Sequence, residues 1–185
     1  MKITLDHNCI IHLKDHTDIG KAIEAILSDK KNNCFVVNVG ASEMRERGVR
    51  PDHYEKFEEL LVAAGIAHLP RLNPMMRLDV TFLGRSGLAD DETIKLADAI
   101  EEALFGGAHK IAIASVGLDS PAGKTWLNRQ CDVHGMWCHI RNGNEVFLTT
   151  DGNFKKQTKL TKLIDLGAGR ICHPDELCTQ GHRGN

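Results

Sequence analysis

Short apolar runs that alternate with amphipathic stretches set the fold class of this chain. Ile3-Thr4-Leu5, Cys34 to Val39, Ile111 to Val116, Val146 to Thr150 and Arg170 to His173 have the length and apolar content of buried strands. Between them lie stretches of helical period. Ile19, Ala22, Ile23, Ile26 and Leu27 recur at helical spacing, in a helix expected to end near Lys30. Tyr54, Phe57, Leu60, Leu61 and Ala64 form a second stripe, stopped at Gly65. Asp90-Asp91-Glu92-Thr93 opens a helix through Leu104, ended by Gly106-Gly107. A loop is expected to about Lys124, and then Val133, Met136, Trp137 and Ile140 form the inward stripe of a further helix. Lys155 to Lys162 opens another. Strands alternating with helices predict an α/β fold with three layers, a central, mainly parallel sheet covered on both faces.

At 185 residues the chain is long enough for one sizeable core. One domain over 1–178 is expected, with an insertion at about 66–124 and a tail at 179–185. A net charge of −2 gives no bulk attraction to nucleic acid, so such binding would need a local patch. No apolar run approaches the ~20 residues that span a bilayer, so no membrane partner is expected. Met1 to Asp6 reads as a strand rather than an export signal, which places the protein in the cytoplasm. Its six cysteines are then expected as reduced thiols. Cys172, His173, Cys178 and His182 lie close in sequence but lack the paired spacing of a zinc site.

Four acids stand where these segments end. Asp6 follows Ile3-Thr4-Leu5, and Asp151 follows Val146-Phe147-Leu148 within Thr149-Thr150-Asp151-Gly152-Asn153-Phe154. Glu43 falls in the first turn of a helix that Ser42 could cap, and Asp132 is expected just before the helix at Val133. Carboxylates at the carboxyl ends of parallel strands converge on one crevice. A cluster of hard oxygen ligands there suits Mg²⁺ or Mn²⁺.

These segments resemble the PIN domain, a nuclease fold of bacterial toxin–antitoxin pairs and RNA-processing proteins. Ile3-Thr4-Leu5-Asp6-His7-Asn8 is similar to its opening strand and first metal-binding acid. Ala41-Ser42-Glu43 resembles the second acid, and Asp132 with Val133 to Cys138 the third acid and following helix. Thr149 to Phe154 resembles its T-x-D-x-x-F element, and Ile171 to Leu177 its closing strand. The likeness covers about 1–65 and 125–178. Many members carry a further acid where this chain has Asn153, and apolar residues where it has Gly135.

The resemblance implies a PIN-like ribonuclease that needs Mg²⁺ or Mn²⁺ held by Asp6, Glu43, Asp132 and Asp151. Asn8, Thr149, Thr150 and Asn153 are the expected groups that orient those carboxylates. Arg45, Arg47 and Arg50 follow Glu43, and Lys155, Lys156, Lys159 and Lys162 follow Asp151, so both clusters are expected to hold RNA phosphates, Arg45, Arg47, Lys155 and Lys156 foremost. The resemblance further admits an antitoxin-like partner and a homodimer. The alternative is a catalytically weak PIN-like module that binds RNA or protein without cutting. Two other chemistries have less support. A phosphatase using Asp6 as nucleophile needs a second acid where Asn8 stands. The Gly117 to Thr125 stretch is one residue too long for a P-loop.

Overall fold

The computed structural model of the protein describes residues 1–40, 42–106 and 117–181, without the side chains of residues 42, 43 and 179–181. In chain order its elements are β1 (Lys2–Leu5), α1 (His7–Lys14), α2 (Asp18–Ser28), β2 (Asn33–Val37), α3 (Ser42–Glu46), α4 (Tyr54–Ala63), β3 (Arg71–Leu72), α5 (Asp91–Phe105), α6 (Pro121–Arg141), β4 (Val146–Leu148), α7 (Gln157–Asp165), β5 (Arg170–Cys172) and α8 (Pro174–Gly181). The strand expected over Ile111–Val116 lies outside the described residues.

All five strands are parallel, in the order β3-β2-β1-β4-β5. The central strand β1 aligns Leu5 with Val36 on one side and with Leu148 on the other. The chain winds outward from β1 to β2 and β3, then returns to β1's other edge for β4 and β5. The winding direction therefore reverses between β1 and β4. In open α/β sheets that reversal leaves a crevice at the carboxyl ends of the two strands.

Alternation along each strand divides the core into two layers. Ile3, Leu5, Val36, Val146 and Leu148 point to one face, where Ile10, Ile23, Phe57, Leu61 and Leu177 bring in α1, α2, α4 and α8. Val37, Phe147 and Ile171 point to the other, against Ile100, Leu104, Leu127, Met136 and Leu163 of α5, α6 and α7. Helices on both faces of a parallel sheet make the three layers. Thr4 faces the second layer and is fully buried. Its hydroxyl bonds His139 Nδ1 of α6 at 2.9 Å and accepts from Asn144 Nδ2 at 2.8 Å. Those partners satisfy a polar group that the sheet interior would otherwise penalise.

The 66–124 segment supplies edge strand β3 and helix α5, and Leu72, Met75, Val80, Ala97 and Ile100 join the second core layer. Helix α6 is longer than its sequence stripe indicates. Ser120 caps it, its hydroxyl accepting from Gly123 N at 3.0 Å, and Pro121 occupies the first turn. The loop expected to reach Lys124 is thus helical from residue 121. Asp132 consequently sits in the middle of α6 rather than before it. The final helix α8 runs to Gly181, so the expected tail begins inside a helix. No helix among the described residues is long and apolar enough to cross a membrane.

Candidate functional site

Asp6 and Asp151 occupy the two lips of the crevice between β1 and β4. Asp6 N–H donates to Leu148 O at 3.0 Å, extending the β1–β4 ladder by one bond. The chain then turns into α1, with Asp6 as its N-cap and Asp6 Oδ1 accepting from His7 N at 2.8 Å. A single residue thus ends a strand, starts a helix and presents a carboxylate, and it is only 6% exposed.

Thr149 ties the two lips together. Fully buried, its hydroxyl donates to Asp6 Oδ2 at 2.6 Å and accepts the Asp151 N–H at 3.0 Å. Asp151 Oδ1 in turn accepts the Asn153 N–H at 2.7 Å, an Asx turn that fixes the carboxylate's direction. Asn153 Oδ1 receives Lys159 Nζ at 2.5 Å. Of the expected orienting groups, Thr149 thus bonds Asp6 through its hydroxyl and Asn153 bonds Asp151 through its backbone N–H. Asn8 reaches Asp6 Oδ2 only at 3.5 Å, and Thr150 is half-buried beside Asp151.

Asp132 enters the same crevice from α6. Burial drives its carboxyl well above the ordinary carboxylate range, and the charges of Asp6 and Asp151 push it further, against a downward pull from Lys159. Asp6 is also raised, mainly by burial; His7 and the Thr149 hydroxyl oppose this, and Asp151 adds to it. Asp6 and Asp151 both act on Asp132, and Asp151 acts on Asp6, so the three side chains share one electrostatic neighbourhood. His7 Nδ1 lies 4.0 Å from Asp6 Oδ1, yet burial lowers the imidazole while it raises the acid. Desolvation outweighs attraction here, so this contact is not a strong ion pair.

Glu43 lies on α3, and its side chain is outside the described residues. Helix α3 packs against α6, and Cys131 Sγ donates to Gly40 O at 3.1 Å, binding α6 to the segment that follows β2. Burial, then Asp132, raise the Cys131 thiol; Arg45 lowers it and Asp6 adds a further rise, so α3's cation acts on the same neighbourhood.

The expected phosphate-binding residues divide into two groups. Arg45 donates to Asp79 O from beside the site. Arg47 pairs with Asp15 at 3.4 Å and Lys155 pairs with Glu176, both at the surface, while Lys156 is exposed at the start of α7. The cation that reaches the acids is Lys159, one turn further on. It stands eight residues after Asp151, and the helical start at 157 turns it back toward the crevice. That signal was present in the sequence, but the stretch reads there as one undivided basic run.

Among the described residues no three His, Cys, Asp or Glu side chains are grouped closely enough to enclose a metal ion. The donor chemistry nonetheless fits a hard divalent cation. The convergent groups are carboxylates; like charge and burial disfavour ionisation of Asp6 and Asp132, and a cation relieves both. No family model matches the chain, and no curated protein or solved structure matches it either.

Proposed function

We propose that the protein is a divalent-metal-dependent ribonuclease of PIN type. The observation that carries this reading is the meeting of Asp6, Asp132 and Asp151 at the reversal point of a parallel sheet. Burial and neighbouring negative charge raise the Asp6 and Asp132 carboxyls there. Asp6, Asp132 and Asp151 would hold Mg²⁺ or Mn²⁺, with Glu43 joining from α3. Such an ion, when bound, activates a water and neutralises charge on a phosphodiester. Thr149 holds the Asp6 carboxylate at a fixed angle, and the Asx turn at Asn153 does the same for Asp151. Lys159 places an ammonium against Asn153 at the crevice edge, where it can meet a phosphate of the substrate. Arg45 does so from the α3 side.

Cleavage of single-stranded RNA in Mn²⁺ tests the proposal. The wild-type chain is expected to cut, and Asp6→Asn and Asp151→Asn chains are expected to fall to background while remaining folded. Undiminished cutting in excess chelator would rule it out. RNA binding by a chain that never cuts would favour the non-catalytic module instead.

A further inference from the structure

A second cavity lies beside the acids and is built from both the α3–α4 connection and the 66–124 segment. It encloses about 330 Å³ and is lined by Arg45, Arg50, Arg77, Leu78, Leu83 and Leu118. That volume is at the lower end for small-molecule sites and suits one nucleotide unit. Its surface chemistry is unusual in combining cations with uncovered apolar side chains. Leu78 is 76% exposed, Leu83 64% and Met76, also at the cavity, 50%. Large apolar side chains gathered at one place mark a surface that something covers.

The cations are available. Among the described residues none of the three guanidiniums is in an ion pair; Arg45 is bound to a backbone carbonyl and Arg77 lies over the Trp126 ring, 5.5 Å from its centre. Two acids also line the cavity. Asp52 faces His53 Nε2 at 3.8 Å, and Asp79 holds Arg45 through its carbonyl oxygen. Asp79 adopts a left-handed backbone, φ 64°, one of two non-glycine residues with positive φ among those described. A strained turn that aims a carbonyl at an arginine fixes that arginine's position at a cost of about 1 kcal/mol or more. The cavity adjoins α6, the helix that carries Asp132, because Arg77 lies over Trp126 of that helix and α3, which carries Arg45, packs against it.

We infer that this cavity binds a nucleotide unit of a single-stranded RNA, with Arg45, Arg50 and Arg77 on its phosphate and the exposed leucines against its base. Guanidiniums match phosphate oxygens in pairs, and apolar side chains cover a base's faces without reading its edges. Preference in this site would thus fall on the nucleotide next to the one at the acids, with little discrimination among bases. The inference rests on the ribonuclease reading only for the identity of the polymer.

Binding of a short fluorescent single-stranded RNA is measured in chelator, so that cleavage plays no part. An Arg50→Ala/Arg77→Ala chain is compared with wild type, and Arg50→Ala alone guards against a folding defect, since Arg50 is exposed and has no described partner. The double variant is expected to bind at least about tenfold more weakly, and its slope of log affinity on log salt to fall by about 1.4 in magnitude, or 0.7 per lost phosphate contact. Arg50→Ala alone should lose about half that slope. Adenosine 5′-monophosphate is expected to displace the RNA and adenosine is not. Unchanged affinity and slope in both variants overturns the inference, as does equal competition by adenosine or tighter binding of a poly-glutamate peptide. Loss of binding in the variants with no cleavage by wild type in Mn²⁺ upholds the cavity and rejects the nuclease. Cleavage with unchanged binding does the reverse.

Discussion

Replacing Thr149 by Val tests whether the crevice is a built site or a chance meeting of acids. Valine keeps the side chain's shape and removes its hydroxyl. Two hydrogen bonds go with it, the 2.6 Å donation to Asp6 and the 3.0 Å acceptance from Asp151 N–H. A bond to a carboxylate is worth about 1.5–3 kcal/mol, and a backbone N–H left unpaired costs about 1–3 kcal/mol. The two losses overlap, because the Asp151 N–H is near the surface and can recruit water, so about 2–3 kcal/mol is expected. For a chain of this size that corresponds to a fall of about 4–12 °C in Tm. Thr149→Ser is the control. It keeps both bonds and loses one buried methyl, for about 1 kcal/mol. The hydroxyl also holds the Asp6 carboxyl down against burial. Without it that carboxyl keeps its proton to higher pH, so the acid limb of any Mn²⁺-dependent activity moves upward. Thermal melting by circular dichroism and a pH profile of cleavage are the assays. A valine chain that melts with or above the serine chain, or an unmoved acid limb, would refute this account of the crevice.

Two further outcomes probe the frame around it. The His139 imidazole, held between Thr4 and Ala168 O, is pushed down to about 4 by burial. A depressed imidazole contributes stability that is full above its ordinary 6.5 and is lost as pH falls toward 4, about 3 kcal/mol in all. Denaturant midpoints between pH 7 and 4 should show that slope in wild type and a shallower one in His139→Gln. Gly20→Ala should cost about 1–3 kcal/mol although alanine favours helices, because its Cβ would stand 2.4 Å from the His12 carbonyl oxygen. Equal melting of the alanine chain would show that α1 and α2 can separate freely.

The parts of this fold that sequence exposed are those with strong local patterns. Ile3-Thr4-Leu5 and Val146-Phe147-Leu148 are apolar and short, and each lies in a strand, the first followed at once by Asp6 and the second, after two threonines, by Asp151. Asp90 caps α5, accepting from Thr93 N at 2.8 Å, and Gly106 ends it with φ 69°. Helix α6 hid its first half for a physical reason. The residues it buries there are Gly123, Leu127, Gln130 and Cys131, of which Leu127 alone is a large apolar side chain, so no apolar stripe marks it. Gly123 looks like loop but lies in the first turn of α6, and it is glycine because a Cβ there would meet Gly117 O at 2.1 Å. Strand β3 has two residues, too few for any period, and forms by pairing with β2. Asp6 and Asp151 could be located from their strands. Asp132 needed the register of α6, and the arginine cavity needed the long-range return of the 76–83 segment onto α3, which no local pattern encodes.

Calorimetric titration of the metal-free chain with Mn²⁺, in two buffers of different ionisation heat, addresses the gathered carboxyls most directly. Because Asp6 and Asp132 hold protons more tightly than free carboxyls, binding should release protons, strengthen as pH rises and vanish in Asp132→Asn. No heat of binding at millimolar Mn²⁺, or binding that releases no proton and survives Asp132→Asn, would contradict it.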